Sequence, residues 1–144
     1  MISFTVPGQP VGKARARTVV QGGKTHSFTP AKTARYEAFV AGVYKSLYPG
    51  AKPATGAVQV AIRAIYGVPK SWPAEKKRLA LAELIPVQVK PDLDNVVKCI
   101  CDALNGIAWE DDKQITWLQA RKSYGAEPRV EVEIWMMEDR DGGK

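Results

Sequence analysis

The chain has 144 residues, a formal net charge of +6 at pH 7 and two cysteines. At this length it fits one domain, residues 1–144, and buries roughly 70% of the surface that the unfolded chain exposes, so its core needs no disulfide or metal. Hydrophobic residues make up 45%, and no apolar run approaches the ~20 residues of a membrane-spanning helix. The first residues lack the basic head and apolar body of a signal peptide, so we expect a cytoplasmic protein.

Positive charge is concentrated in the N-terminal third of the chain. Residues 1–50 hold seven basic side chains and one acidic side chain, whereas the remaining residues hold 14 of each. This asymmetry indicates a polyanion as the natural partner. Charge that only keeps the protein soluble is the alternative, and it would be equally plausible if these residues were scattered over a helix surface.

Three elements are predicted in residues 1–50. Alternation of apolar and polar side chains at 2–6 predicts a short strand, and a basic loop that contains glycine follows at 11–29. A helix should then start at Thr29 and Pro30, with Thr as the N-cap and Pro as the first helical residue. Its apolar residues recur at helical spacing as far as about Leu47, where Tyr-Pro-Gly stops it.

Three strands and two helices are predicted after residue 50. The strands are indicated at 58–68, 114–123 and 129–137, and the helices at 73–84 and 92–105. The order β-α-β-α-α-β-β predicts a single α+β domain in which a mixed sheet packs against about three helices. Residues 138–144 should form a frayed tail.

Asp92 and Asp94 lie where the last of these helices starts, directly after Pro91. Residues two apart diverge inside a helix, but at its first turn both side chains can point together. One of the two could simply be an N-cap, since Asp is among the commonest residues there. Lys98 follows Asp94 by four residues, so it is either part of an ordinary surface ion pair or a cation that stabilises charge on a transferring phosphoryl group.

A second acidic cluster, Glu110-Asp111-Asp112, follows the same helix. The helix is about 20 Å long, so the chain must turn back, through a short strand at 107–109, to bring the two clusters together. Grouped carboxylates on a basic protein indicate a divalent cation, and ligands that are all oxygen favour Mg²⁺, with Mn²⁺ as a possible substitute. The predicted chemistry is phosphodiester hydrolysis, and the alternative is an acidic turn that is merely solvated.

Lys13, Arg15 and Arg17 alternate with small alanines in the basic loop. An extended backbone would present all three to one side, where a phosphate backbone could approach closely. A basic loop that only solvates itself is the alternative, and a loop that orders on nucleic acid is compatible with both. His26 has no Cys or His at metal-ligand spacing, and no Walker or dinucleotide motif is present, so no nucleotide cofactor is expected.

Cys99 and Cys101 lie two apart on the predicted helix that starts near Asp92. Their side chains therefore diverge and cannot reach disulfide geometry, which fits a reducing compartment. With no neighbouring Cys or His, we expect small core-filling residues rather than metal ligands. Three tryptophans are expected in the core or at an interface: Trp109, Trp117 and Trp135.

Several of these motifs occur together in one known family. The pattern runs Pro91-Asp92-Leu-Asp94-Asn95-x-x-Lys98, then Asp102-Ala-Leu104-Asn-Gly106, then Trp109-x-Asp111-Asp112-x-Gln114-Ile115. It resembles the RusA family of Holliday-junction resolvases. The N-terminal segments Val11-Gly-Lys-Ala-Arg15, Thr29-Pro-x-Lys32 and Tyr36-Glu37 are similar to the phage and prophage branch of that family. The resemblance spans most of the chain and is weakest at 49–89.

The resemblance implies a crossover junction endodeoxyribonuclease of DNA recombination and repair, encoded by a phage or prophage. The family resolves four-way junctions by paired symmetric cuts and acts as a homodimer, since a two-fold enzyme supplies one site for each cut. Asp92, Asp94 and Asp112 would be the catalytic carboxylates that bind Mg²⁺, with Asp111 as the adjacent acid, and Lys98 would be the essential basic residue. The residues expected on junction phosphates are Lys13, Arg15, Arg17, Lys24 and Lys32.

Two other functions are compatible with the same residues. A broader nuclease could cut flaps or replication forks through the same site. A non-catalytic nucleic-acid-binding domain could carry the carboxylates only as caps and turn residues. Rates on junction, flap, fork and duplex DNA separate the two nucleases, and the absence of turnover with Mg²⁺ or Mn²⁺ identifies the binder.

Overall fold

A mixed four-stranded sheet, three helices and a separate hairpin make up the part of the chain that the structure describes. The computed structural model describes residues 1–14, 17–28 and 30–137. Within these ranges the strands are β1 (Ile2–Pro7), β2 (Arg17–Gln21), β3 (Lys24–Phe28), β4 (Val58–Gly67), β5 (Ile115–Gly125) and β6 (Arg129–Met136), and the helices are α1 (Ala31–Leu47), α2 (Ala74–Leu81) and α3 (Leu93–Leu104). The predicted α+β class with a mixed sheet is confirmed. The predicted tail at 138–144 lies outside the described residues.

The central sheet has the strand order β1-β6-β4-β5. β6 pairs antiparallel with β1 and β4, whereas β5 pairs in parallel with β4 and lies at one edge. Along β4, Val58, Val60, Ile62 and Ala64 are buried, so the alternation read from the sequence places one apolar row on the core side. β4 therefore lies inside the sheet, with β6 on one side and β5 on the other.

The helices α1 and α3 pack against each other. On α3, Val96, Ile100 and Leu104 are fully buried, and on α1 Val40 and Tyr44 are buried. Each such side chain stabilises the fold by about 1.5–3 kcal/mol relative to an exposed position. The buried residues of α3 recur at the spacing of one helix face, which confirms the predicted stripe there. The stripe predicted on α1 is only partly buried, because Phe39 and Leu47 are 46% and 55% exposed. No helix in the described ranges is long and apolar enough to cross a membrane.

Both cysteines lie in the core, as predicted. Cys99 and Cys101 are free and buried, and they fill space on α3. The tryptophans differ from one another. Trp109 is fully buried, whereas Trp117 is 44% exposed on the edge strand β5 and packs against Trp135 with ring centroids 6.2 Å apart. A core position is therefore confirmed for Trp109.

The basic loop predicted at 11–29 contains a β-hairpin, so that prediction was wrong. β2 and β3 pair antiparallel around Gly22 and Gly23. Both glycines have positive φ, 60° and 78°, which is the backbone that a two-residue hairpin turn requires and that glycine adopts without steric cost. The β-branched residues Thr18, Val19 and Val20 before the turn favour a strand. A Gly-Gly pair between such residues was the signal that the sequence offered.

The predicted bounds of α1 and α2 also need correction. Pro30 is the N-cap of α1 and Ala31 its first helical residue, so the helix starts one residue later than predicted. The helix α2 starts at Ala74, with Pro73 as its N-cap, and ends at Leu81 rather than Leu84. The N–H of Glu83 bonds to the carbonyl of Ala80 and that of Leu84 to Leu79, both at 3.0 Å, which is a Schellman motif. Glu83 takes the left-handed position, with φ 61°.

The segment between α3 and the second acidic cluster is a turn, not the short strand expected at 107–109. The N–H groups of Ile107 and Ala108 bond back to the carbonyl of Leu104 at 3.0 and 2.9 Å. Trp109 forms single bridges with Ala54 and Asn105. The chain therefore reverses at the C-terminal end of α3 and feeds directly into a 3-10 turn at 112–114 and then β5.

Candidate active site

The first turn of α3 carries the first pair of predicted catalytic carboxylates. Asp92 occupies the N-cap position and Asp94 lies in the first turn, as the sequence predicted, and both are exposed. The Asp92 side chain makes no capping hydrogen bond, so capping does not explain this aspartate. The positive end of the helix dipole favours negative charge at both positions. The structure thus presents two carboxylates at a helix N-terminus that is open to solvent.

Two neighbouring segments fix the position of this turn. The hydroxyl of Tyr66 on β4 donates a hydrogen bond of 2.5 Å to the carbonyl of Pro91. Burial, with a smaller contribution from the charge of Asp92, raises the pKa of Tyr66 to about 12, so the hydroxyl stays protonated and remains a donor. On the other side, a Cβ on Gly12 would lie 2.8 Å from the Cβ of Pro91 and 3.1 Å from that of Asn95. Only glycine allows the N-terminal segment to lie this close to α3.

Lys13 connects three elements through two ion pairs. Its Nζ lies 2.8 Å from Glu37 Oε2 on α1 and 3.2 Å from Asp102 Oδ2 on α3, and its backbone N–H bonds to the carbonyl of Asn95 at 2.9 Å. Burial alone would lower the pKa of Lys13, but the hydrogen bonds and charges of Glu37 and Asp102 raise it above the ordinary value. The predicted phosphate contact of Lys13 is untested, and the structure gives its ammonium two carboxylate partners.

Lys98 has Asp102 as its partner among the described residues. The Lys98 Nζ lies 3.9 Å from Asp102 Oδ2, and the lysine side chain is 64% exposed. The sequence interpretation paired Lys98 with Asp94, whereas the structure pairs it in the other direction along the helix. Asp102 was not predicted as a site residue, although it follows Lys98 by four positions, the spacing of a helical ion pair.

Asp111 and Asp112 have different surroundings. The Asp111 carboxylate accepts a hydrogen bond of 3.1 Å from the N–H of Lys113 and, with Gln114, forms a capping box at the 3-10 turn. The Asp112 carboxylate accepts a 2.7 Å hydrogen bond from Nε1 of the buried Trp109, which sets its direction. The Asp112 carboxylate is therefore oriented by a core residue, whereas the Asp111 carboxylate caps the 3-10 turn.

Within the second acidic cluster, Asp112 lies near enough to Cys101 of α3 for its charge to affect that thiol. Burial raises the pKa of the Cys101 thiol to about 12, and the charges of Asp112 and Asp102 contribute to this shift. Cys101 lies seven residues after Asp94, about 10 Å along the helix axis. In the part of the chain that the structure describes, no three His, Cys, Asp or Glu side chains are placed so that they could hold a metal ion. Carboxylate oxygens suit Mg²⁺, but the three-aspartate site stays a prediction.

A cleft of about 740 Å³ lies where the N-terminal segment, the start of α1 and the first turn of α3 meet. Lys13, Lys32, Lys90, Asp92 and Asn95 line it. The cleft therefore places basic side chains beside one of the predicted catalytic carboxylates. Lys90 was not predicted, although it directly precedes Pro91. As the candidate site, we call it the active-site cleft.

The other residues predicted to contact DNA lie on the hairpin formed by β2 and β3 or outside the described residues. Lys24 is exposed at the start of β3. Arg17 begins β2. Arg15 lies outside the described residues. The structure thus brings Lys13 and Lys32 to the active-site cleft and places Arg17 and Lys24 on the hairpin.

Comparison with known proteins gives consistent results along the chain. A protein of Bacillus subtilis (strain 168), "Uncharacterized protein YqaN", is 40% identical over 135 residues, which cover 92% of this chain and 94% of that protein. The "Crossover junction endodeoxyribonuclease rusA" of Lactococcus phage r1t is 41% identical over 46 residues, 31% of this chain and 35% of that protein. The profile of the family "Endodeoxyribonuclease RusA" matches residues 7–135. The chain therefore belongs to the RusA endodeoxyribonuclease family.

Proposed function

We propose that this protein is a Mg²⁺-dependent endonuclease that resolves Holliday junctions by paired symmetric cuts in DNA recombination and repair. The family match over residues 7–135 carries the proposal. The active-site cleft supports it, because basic side chains there lie beside an exposed carboxylate. Lys32 and Lys90 line the cleft together with Asp92, so a phosphodiester bound there would lie near both lysines. The lysines offset the charge of the DNA backbone, which the carboxylates would otherwise repel.

Asp92, Asp94 and Asp112 would hold the magnesium ion, with Asp111 less suited because its carboxylate caps the 3-10 turn. Mg²⁺ is usually held by one or two carboxylates together with water and substrate phosphate, so a complete protein cage is not required before DNA binds. The bound ion would neutralise phosphate charge and make a water more acidic. Lys98 would add positive charge at the scissile phosphate, and Asp102 would keep its side chain on that face of α3.

A homodimer is part of the proposal. A four-way junction has two-fold symmetry, and its resolution needs one cut in each of two strands. Two copies related by a two-fold axis present two identical sites to those strands. Arg15, Arg17 and Lys24 would contact junction phosphates and so hold the junction by its shape rather than its base edges.

The test uses a mobile four-way junction and flap, fork and duplex DNA of the same sequence. Wild type with Mg²⁺ should cut the junction fastest and produce symmetric nicks. Asp94→Asn and Lys98→Ala should lose at least about 100-fold in rate while still binding the junction. Asp111→Asn is the matched control, because asparagine keeps the cap but loses the charge, and it should stay close to wild type.

Three results would contradict the proposal in different ways. Equal rates on flap, fork and junction would indicate a broader branched-DNA nuclease. Junction binding without cleavage in either Mg²⁺ or Mn²⁺ would indicate a non-catalytic binder. Undiminished cleavage by Asp94→Asn would remove the assigned carboxylate from the reaction.

A further inference from the structure

We propose that a second cleft beside the active-site cleft binds a nucleobase that has left the base stack of the DNA substrate. The inference rests on the proposed function and extends it to a substrate subsite. The second cleft, of about 490 Å³, is lined by Gln9, Tyr66, Pro69, Trp72, Val89 and Tyr124, among others. We call it the aromatic cleft. Its volume lies in the range of sites that hold small organic ligands.

The aromatic cleft is continuous with the active-site cleft. Pro10, Lys90 and Pro91 line both. Tyr66 lies in the wall between them, because it lines the aromatic cleft while its hydroxyl donates a hydrogen bond to the carbonyl of Pro91, which lines both. A DNA strand whose phosphate lies beside Asp92 would therefore pass within reach of the aromatic cleft with an adjacent nucleotide.

The rings of the cleft offer a surface for stacking. Trp72 is partly exposed, whereas Tyr66 and Tyr124 are 4% and 6% exposed and form the floor. Trp72 and Tyr124 meet edge to face with ring centroids 5.3 Å apart, which holds the indole in a fixed orientation. Proteins that bind single-stranded DNA stack bases on such aromatic side chains, and a base must be unstacked to reach one.

Positive charge surrounds the aromatic cleft. Lys76 Nζ lies 3.9 Å from the centroid of the Trp72 ring, and Lys122 Nζ lies 5.0 Å from that of Tyr66. Lys122 is held there by a 2.7 Å hydrogen bond to the carbonyl of Val89. Lys90 lines the cleft, and no acidic side chain does so among the described lining residues. An apolar floor with lysines above it suits a nucleotide, whose base is flat and whose phosphate is anionic, better than an apolar protein segment.

The inference is tested by DNA binding without divalent metal, so cleavage does not enter the measurement. The probe is a fluorescent oligothymidine of 12 nucleotides in buffer with EDTA, and its binding is measured by fluorescence anisotropy. Trp72→Ala should weaken its binding about 5- to 150-fold, the range for loss of one base-stacking aromatic. Trp72→Phe should stay within about 3-fold of wild type, because phenylalanine can still stack. Trp117→Ala is the control, since Trp117 is exposed on β5 and does not line the cleft.

Trp72→Leu separates stacking from packing. Leucine retains apolar contact with Tyr124, so the variant should fold, yet it lacks a ring and should bind as weakly as Trp72→Ala. Lys76→Gln should reduce the slope of log K against log salt concentration by about one, the effect of losing one phosphate contact. Wild-type affinity in Trp72→Leu or in folded Trp72→Ala would overturn the base site. That outcome leaves the proposed nuclease intact, because cleavage of the four-way junction by wild type is judged separately.

Discussion

Replacing Lys13 with methionine should lower the free energy of unfolding by about 2 kcal/mol. The ammonium bonds to Glu37 at 2.8 Å and Asp102 at 3.2 Å, and the three side chains are only 19%, 19% and 27% exposed. A hydrogen bond to a charged group contributes roughly 1.5–3 kcal/mol, and the variant also leaves two carboxylates facing each other. Water can reach part of the network, and methionine retains the packing of the lysine stem. We therefore expect the loss of stability to lie toward the lower end of this range, at about 2 kcal/mol.

The measurement is urea unfolding at pH 7, followed by the fluorescence of the four tryptophans, of which Trp109 is fully buried. For a chain of this length a loss of about 2 kcal/mol corresponds to a fall of about 6 °C in Tm. Lys52→Met is the control, because Lys52 is exposed in the loop before β4 and should change stability by less than about 0.5 kcal/mol. A double-mutant cycle with Glu37→Gln should give a coupling of about 1 kcal/mol.

The pH dependence gives a second check on the same contact. The native-state pKa of Lys13 is raised, so its stabilising contribution is complete below the unfolded value of about 10.4 and is lost as the pH rises through the higher native value. The difference in free energy of unfolding between wild type and Lys13→Met should therefore be constant from pH 6 to 9 and shrink in stronger alkali. A loss below about 0.5 kcal/mol at pH 7, or no coupling to Glu37, would refute the view that this lysine joins the N-terminal segment to α1 and α3.

Three further outcomes are expected. Gly12→Ala should lose about 1–3 kcal/mol of stability in urea, because the added Cβ would lie 2.8 Å from Pro91, and an unchanged midpoint would contradict this contact. Burial raises the pKa of Cys99 and Cys101 to about 12, so the free energy of unfolding should fall as the pH rises from about 8.5 toward 12, and less so in the double alanine variant. Tyr66→Phe should lower the free energy of unfolding by about 1 kcal/mol and slow junction cleavage, since the hydrogen bond to Pro91 is lost. Equal cleavage rates in wild type and variant would show that this hydrogen bond does not position the catalytic residues.

Local patterns were sufficient to predict the elements that have strong periodicity. Val96, Ile100 and Leu104 recur on one face of α3, and β4 alternates regularly, so both elements were predicted close to their observed bounds. The position of Asp92 and Asp94 at the first turn followed from Pro91 and the residue spacing. These features depend on residues that are near each other in the chain, and spacing alone determines which face they share.

The features that sequence reasoning missed depend on contacts between distant residues or on unusual backbone. Lys13 meets Glu37 and Asp102, 24 and 89 positions away, and nothing in their local sequence shows this pairing. The hairpin β2–β3 could have been predicted from Gly22-Gly23, but the basic residues around it favoured a loop. Whether the two acidic clusters share an ion depends on how the chain and the DNA come together, and spacing does not determine that.

The left-handed residue that ends α2 has a consequence for the sheet. Most side chains incur a conformational cost of about 1 kcal/mol at that backbone geometry, which glycine avoids. Glu83 tolerates it, and its carboxylate lies 2.7 Å from Arg63 on β4 and 3.8 Å from Arg121 on β5. Glycine would relax the turn yet release the helix from two neighbouring strands. Attachment of the helix end to arginines on both strands is what an acidic residue provides at this position.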